Sequence, residues 1–374
     1  MIVKLLSILR RALKSLGLLP LIKRFLYAPG GLGVASGTGG GLRYRLKLLI
    51  EQANFASIEQ VHALPPIYHY WSDKHLRPKL RRLGYDSVDE FFFQSVKRAF
   101  AASPRPRRRC ASLGSGNCDF EVALARRLVD AGVGDFVIEC LDVNRTMLER
   151  GALLAAEHGV AEQVRPLRTD FNSWVPDGPY DAVVANQALH HVVNLEGLFD
   201  AVAEALGPEG LFISSDMIGR NGHMRWPEAL AIVNEFWREL PAAYRYDRML
   251  ARCPPEYQNY DCSKAGFEGI RAQDILPLLV QRFHFETFIA FGNVIDPFID
   301  RAVGDNFDPD RQYDRDFIDR VQARDEALIE SGAVKPTHML AVMTVGPAAG
   351  RKYLGILTPE FCVRPPNTGT PVTQ

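Results

Sequence analysis

Short apolar runs alternate with longer amphipathic segments over residues 108–217, and this rhythm sets the expected fold. The runs are 109–113, Phe136–Leu141, Val164–Leu167, Tyr180–Ala185 and Gly210–Ser214, while 118–132, 145–158 and 195–206 repeat apolar residues at helical spacing. Runs this short and this apolar suit strands buried on both faces, and their alternation with helices predicts a parallel sheet. Two later runs, Phe283–Ala290 and His338–Val345, predict further strands that need no crossover helix if they pair antiparallel. The expected fold class is α/β: a doubly wound, mostly parallel, seven-stranded sheet with an N-terminal helical region and insertions. The insertions, 216–280 and 293–335, would form a lid or substrate region above the sheet's edge.

The flanks read differently. Residues 42–105 form a helical N-terminal cap, in which Ser87-Val-Asp-Glu90 supplies an N-cap followed by first-turn acids. The main domain spans 106–346. Residues 347–374, rich in Pro, Gly and Thr, read as a loosely ordered tail. At the other end, Leu5, Leu6, Ile8, Leu9, Ala12, Leu13 and Leu16 fall on one side of a helix, opposite Lys4, Arg10, Arg11 and Lys14. A Gly-rich linker at 30–41 follows, which makes 1–41 a basic helix plus linker. Two readings stay open: residues 1–26 contact an anionic membrane surface, or the leucines pack on their own domain. Charges interrupt any signal-peptide core, and no apolar run is long enough to span a bilayer.

Charge narrows the partners. Lys plus Arg equals Asp plus Glu at 44 each, yet residues 1–50 hold nine basic residues and no acid, leaving 35 basic against 44 acidic beyond them. An acidic body argues against nucleic acid as a partner. Six cysteines form no C-x-x-C pair and no zinc spacing, so the expected compartment is the reducing cytoplasm or its membrane's inner face, with no metal.

Candidate chemistry gathers where strands end. Gly114 and Gly116 follow the first strand and let the backbone turn tightly and approach a ligand, beside the free N–H groups of a helix start. Asp142 ends the second strand, where a carboxylate can accept two ribose hydroxyls. Asp170 and Phe171 follow the third strand, offering a carboxylate and a ring for a base. Asn186, Gln187, His190 and His191 follow the fourth.

Together, the glycine turn, Asp142, Asp170 and Y-D-A-V-V-A-N-Q-A-L-H-H-V (180–192) resemble class I S-adenosylmethionine-dependent methyltransferases. The first motif, S-L-G-S-G-N-C-D-F-E (112–121), is similar to the S-L-G-x-G variant found in bacterial members. The resemblance covers 105–217 specifically and the two terminal strands loosely. It implies S-adenosylmethionine as cofactor, held by Ser112, Gly114, Ser115, Gly116, Glu121, Asp142, Val143, Asp170, Phe171, Asn186 and Gln187. Two departures stand out. Ser112 replaces the usual acid two positions before the first glycine, and Cys118 replaces the third glycine. Glu121, on the following helix, is the expected substitute acid.

Transfer to an alcohol also needs a base that titrates near neutrality. His190, His191 and His223 are the candidates, His223 because it follows the fifth strand, where this fold places substrate. Tyr68, His69, Trp71, Asp216, Arg220 and Arg225 are expected to line the acceptor pocket, and aromatic faces there also suit a sulfonium. The expected acceptor is an oxygen or nitrogen of a small molecule or a glycan or lipid-linked precursor. The competing expectation is a non-catalytic S-adenosylmethionine-binding scaffold.

Overall fold

The computed structural model describes residues 64–365 except Ala265, together with Gly41, Leu42, Tyr44, Arg45, Lys47 and Leu48. Of the basic helix and linker expected over 1–41, all but Gly41 lie outside the described residues, as do 43, 46 and 49–63 of the expected helical cap and 366–374 of the tail.

Helices α1 (Pro66–Trp71), α2 (Arg77–Arg82) and α3 (Val88–Ala102) precede the sheet. A π-turn over Ser72–Leu76 joins the first two. The side chain of Ser87 accepts from the Glu90 N–H, which fixes the start of α3 where the sequence places it. Then β1 (Arg108–Leu113), α4 (Asp119–Asp130), β2 (Phe136–Asp142), α5 (Arg145–Glu157) and β3 (Val164–Arg168) alternate. β4 (Tyr180–Asn186), α6 (Leu195–Ala205) and β5 (Leu206–Met217) follow. Next come α7 (Pro227–Glu239), α8 (Ala272–Arg282), β6 (His284–Phe291), α9 (Gln312–Glu330) and β7 (His338–Thr344).

The strands lie in the order β3-β2-β1-β4-β5-β7-β6-β8. β7 runs antiparallel between β5 and β6, which explains the absence of a crossover helix. Right-handed crossovers put α4 and α5 on one face and α6 on the other, because the chain reverses its direction across the sheet after β3. The reversal falls between β1 and β4, and ligands bind in the crevice that opens there. β1 and β4 are buried from Cys110 to Leu113 and from Tyr180 to Ala185. The strand bounds agree with expectation to within a residue except at β5, which runs longer. One element goes beyond the expectation. β8 (Lys352–Tyr353) pairs parallel with β6, and Cys362 is buried in a short helix just after it, so the segment to residue 365 packs on the sheet.

Both insertions and the N-terminal helices form one cap. Trp237 of α7 contacts Tyr257 and Phe298, and Phe298 contacts Phe317 of α9 at 5.4 Å between ring centroids. α1 and α2 dock on α9 through Trp71 Nε1 to Gln322 Oε1 at 2.6 Å, Tyr70 to Asp319, and Lys79 to Glu326.

Cys118 has φ of 59°, in the left-handed region, and is fully buried. A Cβ on Gly151 of α5 would stand 2.6 Å from its Sγ. The close loop–helix packing that a third motif glycine would allow is therefore achieved from the other side: the loop keeps a side chain and the helix gives up its own. Gly151→Ala should destabilise by about 1–3 kcal/mol through overpacking. Adding Cys118→Gly should recover much but not all of this loss, because the Asn117 carbonyl oxygen remains 2.9 Å from the new methyl. Urea midpoints of the two single variants and the double variant measure this, and simple additivity would contradict it.

Candidate active site

The glycine turn is built by two backbone contacts across β1 and β2. Gly114 N–H donates to the Leu141 carbonyl at 2.8 Å, and Gly116 N–H donates to Asp142 Oδ2 at 2.9 Å. Both glycines have positive φ, and a Cβ on Gly114 would stand 2.8 Å from that of Ala188. The turn thus lies directly against the loop after β4.

Asp142 accepts from the Asn144 N–H at 2.7 Å with its other oxygen, and burial pushes its carboxyl above the usual range against these backbone donors. Asn144, not Asp142, caps α5. Val143 beside it is half-buried. Asp170 caps the turn at Phe171–Ser173 and accepts from the Tyr44 hydroxyl on both oxygens, at 2.9 and 2.8 Å. Phe171 is buried against Gly114. Gln187, in the left-handed region, bonds to Ser215, and Asn186 ends β4 half-buried. Tyr44 carries no signal in the sequence; it stands in a basic stretch far from any motif.

Glu121 reaches the strand position where the usual acid is missing. Ser112 Oγ donates to Glu121 Oε1 at 2.6 Å, and Oε2 is buried with no hydrogen-bond partner among the described residues. Ser115 Oγ is turned to the Ser112 carbonyl. Burial pushes the Glu121 carboxyl up to about 7, against the lowering effect of Ser112.

Beyond the end of β5 stands a chain of alternating charges. Asp216 is fully buried and accepts from the N–H groups of Ala188, Leu189 and Met217 and from His190 Nδ1, at 2.7–2.9 Å. His190 Nε2 faces the Glu268 carboxylate at 3.4 Å, and His191 Nε2 faces it at 3.5 Å. His223 Nε2 bonds to Glu268 Oε1 at 2.7 Å. Burial alone would lower the His190 pKa, but Asp216 and Glu268 outweigh it and push it up to about 10. Burial, then the adjacent His190 charge, takes His191 down to about 4. Burial would raise the Glu268 carboxyl, yet the surrounding imidazoles hold it well below the usual carboxylate range.

Interlocked glycines carry Glu268 to this place. Gly222 N–H donates to the Gly269 carbonyl, and a Cβ on Gly222 would stand 2.1 Å from Asp261 Oδ1. Ile270 N–H donates to the His190 carbonyl, and Arg271 pairs with Glu196 at the start of α6. Glu268 lies in the 216–280 insertion expected above the sheet's edge, but no motif marks it, and it stands 77 positions after His191.

Several expected acceptor-pocket residues are used elsewhere. Asp216 lies beneath His190 with both oxygens occupied. Trp71 is buried against α9. Arg225 is buried and pairs with Asp296 at 2.5 Å while donating to the Asn293 carbonyl. Arg220 lies over Trp226 and bonds to the Arg225 carbonyl. His69 is exposed, while half-buried Tyr68 senses the Asp296 charge, burial pushing its hydroxyl to about 12.

A sheet of this order, with a glycine turn and acids at its strand ends, is the class I methyltransferase architecture. Residues 83–254 match the family described as Methyltransferase domain. The glycine turn, Asp142 and the unpartnered Glu121 oxygen suit a ligand with a backbone-hugging chain, hydroxyls and an ammonium. A sterol 24-C-methyltransferase of Gibberella zeae, ERG6B, is 30% identical over 73 residues, which cover 19% of this chain and 19% of that protein. Among solved structures, a methyltransferase from Geobacter sulfurreducens in complex with S-adenosyl-L-homocysteine is 15% identical, with 68% of this chain and 90% of that one covered at a TM-score of 0.35. Geranyl diphosphate C-methyltransferase from Streptomyces coelicolor A3(2), in complex with Mg2+, geranyl diphosphate and S-adenosyl-L-homocysteine, is 11% identical, with 87% and 97% covered at 0.40. No helix among the described residues is long and apolar enough to cross a membrane.

Glu121 generates a pH prediction. Its unfolded carboxyl loses its proton near 4.5, whereas the folded one holds it to about 7. The folded state therefore binds more protons between these values, and stability falls as pH rises through that window, by about 3 kcal/mol for this group. Glu121→Gln should gain stability relative to the parent between about pH 4.5 and pH 7. Urea midpoints across the window test this, and an unchanged difference would refute it.

Proposed function

We propose that this chain transfers a methyl group to an oxygen or nitrogen of a small molecule or glycan precursor, with His223 as general base. The observation that carries the proposal is the 2.7 Å contact between His223 Nε2 and Glu268 at the end of β5. Glu268 accepts from Nε2–H, which leaves Nδ1 bare to take the acceptor's proton. The carboxylate then stabilises the imidazolium that forms, as the carboxylate of a catalytic triad does.

S-adenosylmethionine, when bound, supplies a methyl group already activated on a sulfonium. The chain's own residues do the rest. Asp142 is assigned the ribose hydroxyls, Asp170 with Phe171 the adenine, and Glu121 the amino-acid end, with the Gly114–Gly116 backbone against the chain between. Tyr68 is the aromatic residue assigned to the acceptor side. Orientation of acceptor against methyl contributes about 7–11 kcal/mol at best. His223 adds a factor of about 10²–10⁴ for an alcohol acceptor.

A panel of hydroxyl and amine acceptors with labelled S-adenosylmethionine tests the reading. His223→Asn should lower kcat by about 10²–10⁴ with cofactor affinity kept. Parental turnover in that variant removes His223 from the mechanism. Asp142→Ala should weaken S-adenosylmethionine binding by at least about tenfold, since two charge-assisted hydrogen bonds are lost. Calorimetry at parental affinity would refute the ribose assignment.

A further inference from the structure

The cluster at the end of β4 and β5 contains two kinds of contact. Asp216 to His190 Nδ1 and His223 Nε2 to Glu268 are both 2.7 Å, ordinary charge-assisted hydrogen bonds. His190 Nε2 and His191 Nε2 lie 3.4 and 3.5 Å from the Glu268 oxygens, beyond the usual range for such bonds. Ligands bound to one ion at about 2.0–2.2 Å in tetrahedral array stand about 3.3–3.5 Å apart. The ligand atoms of His190, His191 and Glu268 all lie within 4.8 Å of one another.

We propose that His190 Nε2, His191 Nε2 and the Glu268 carboxylate bind a first-row divalent metal ion of the zinc class. The surroundings are those of a metal site. Asp216 holds Nδ1 of His190, which fixes the ring and leaves Nε2 pointing at Glu268, the carboxylate–histidine–metal arrangement. His223 bonds to Oε1 of the same carboxylate, the oxygen that His190 faces, and fixes its orientation, leaving Oε2 toward His191. Two imidazoles and one carboxylate suit zinc, iron or nickel rather than magnesium or calcium, which take oxygen ligands. Three protein ligands leave a fourth position open, as catalytic rather than structural sites do.

The ligands come from two segments, 190–191 and 268, which the glycine interlock holds in register. A bound ion therefore clamps the 261–274 insertion to the sheet's edge. If the methyltransferase reading holds, the open position faces the acceptor beside His223, and an acceptor oxygen is the fourth ligand. The metal site itself does not require that reading.

The full chain, dialysed against EDTA, is titrated with zinc chloride by calorimetry and with cobalt chloride by visible absorption. One equivalent of each should bind, the cobalt form showing the intense d–d bands of a four-coordinate site. His191→Ala and Glu268→Gln should each abolish saturable binding, and Asp216→Asn should weaken it by about 10–100-fold. His69→Ala, an exposed histidine outside the cluster, should keep it. Circular dichroism identifies any variant that fails to fold, and His191→Asn then replaces it. Absence of saturable binding by the parent overturns the site, as does equal binding by His191→Ala and Glu268→Gln. Affinity for S-adenosylmethionine is read on the same samples. Cofactor binding without metal binding removes this site and leaves the methyltransferase reading standing.

Discussion

The buried carboxylate of Asp216 is the constraint on which the functional half of the molecule depends. A buried charge costs several kcal/mol unless it is paired and hydrogen-bonded. Here the loop after β4 wraps around it: the N–H groups of Ala188 and Leu189 point inward to it, and so does the ring of His190. That loop must bend sharply to deliver three donors to one group, and Gln187 takes a left-handed conformation at its start. The same bend brings Ala188 against Gly114. Satisfying one carboxylate on β5 thereby sets the width of the crevice between β1 and β4. The glycine turn and the histidine cluster share this anchor.

The two departures from the familiar first motif resolve into exchanges between neighbouring elements. Ser112 lacks a carboxylate, and Glu121 supplies one to the same place from the first turn of the next helix. Cys118 has a side chain where a glycine is usual, and Gly151 on the facing helix removes one. In both cases the local volume and charge are preserved while the residues that provide them change. Such exchanges require the partners to touch, which they do at 2.6 Å between Ser112 and Glu121. A motif read residue by residue counts these as losses; the packed structure shows them as relocations.

The central strands were legible because parallel strands buried on both faces are apolar along most of their length and alternate with helical patterns. Helix starts were legible where a side chain does the capping, as at Ser87. The acids at strand ends could be placed because topology brings strand ends together. Glu268 and Tyr44 could not be placed, since each reaches its partners from an irregular segment with no period to read. Asp216 and Arg225 were assigned to the acceptor pocket on position alone. Their burial depends on which groups fold over them: the post-β4 loop for Asp216, and Asp296 with the Asn293 carbonyl for Arg225. The sequence carries no local trace of either.

Alternation of charge explains why the cap and the sheet hold one relative position. From the sheet outward the order is Asp216, His190, Glu268, His223, and each group is stabilised in its charged or donor form by the next. Removing Glu268 would leave His190 facing one carboxylate instead of two and His223 without its orienting partner. The insertion that carries Glu268 is held by the Gly222–Gly269 backbone bond, by Arg271 on Glu196, and by buried Phe267, Ala272 and Ile275. The charge cluster adds to this packing and orients the Glu268 side chain. The His190–Glu268–His223 contacts form only when the insertion is seated, so the geometry of this cluster depends on the same few side chains.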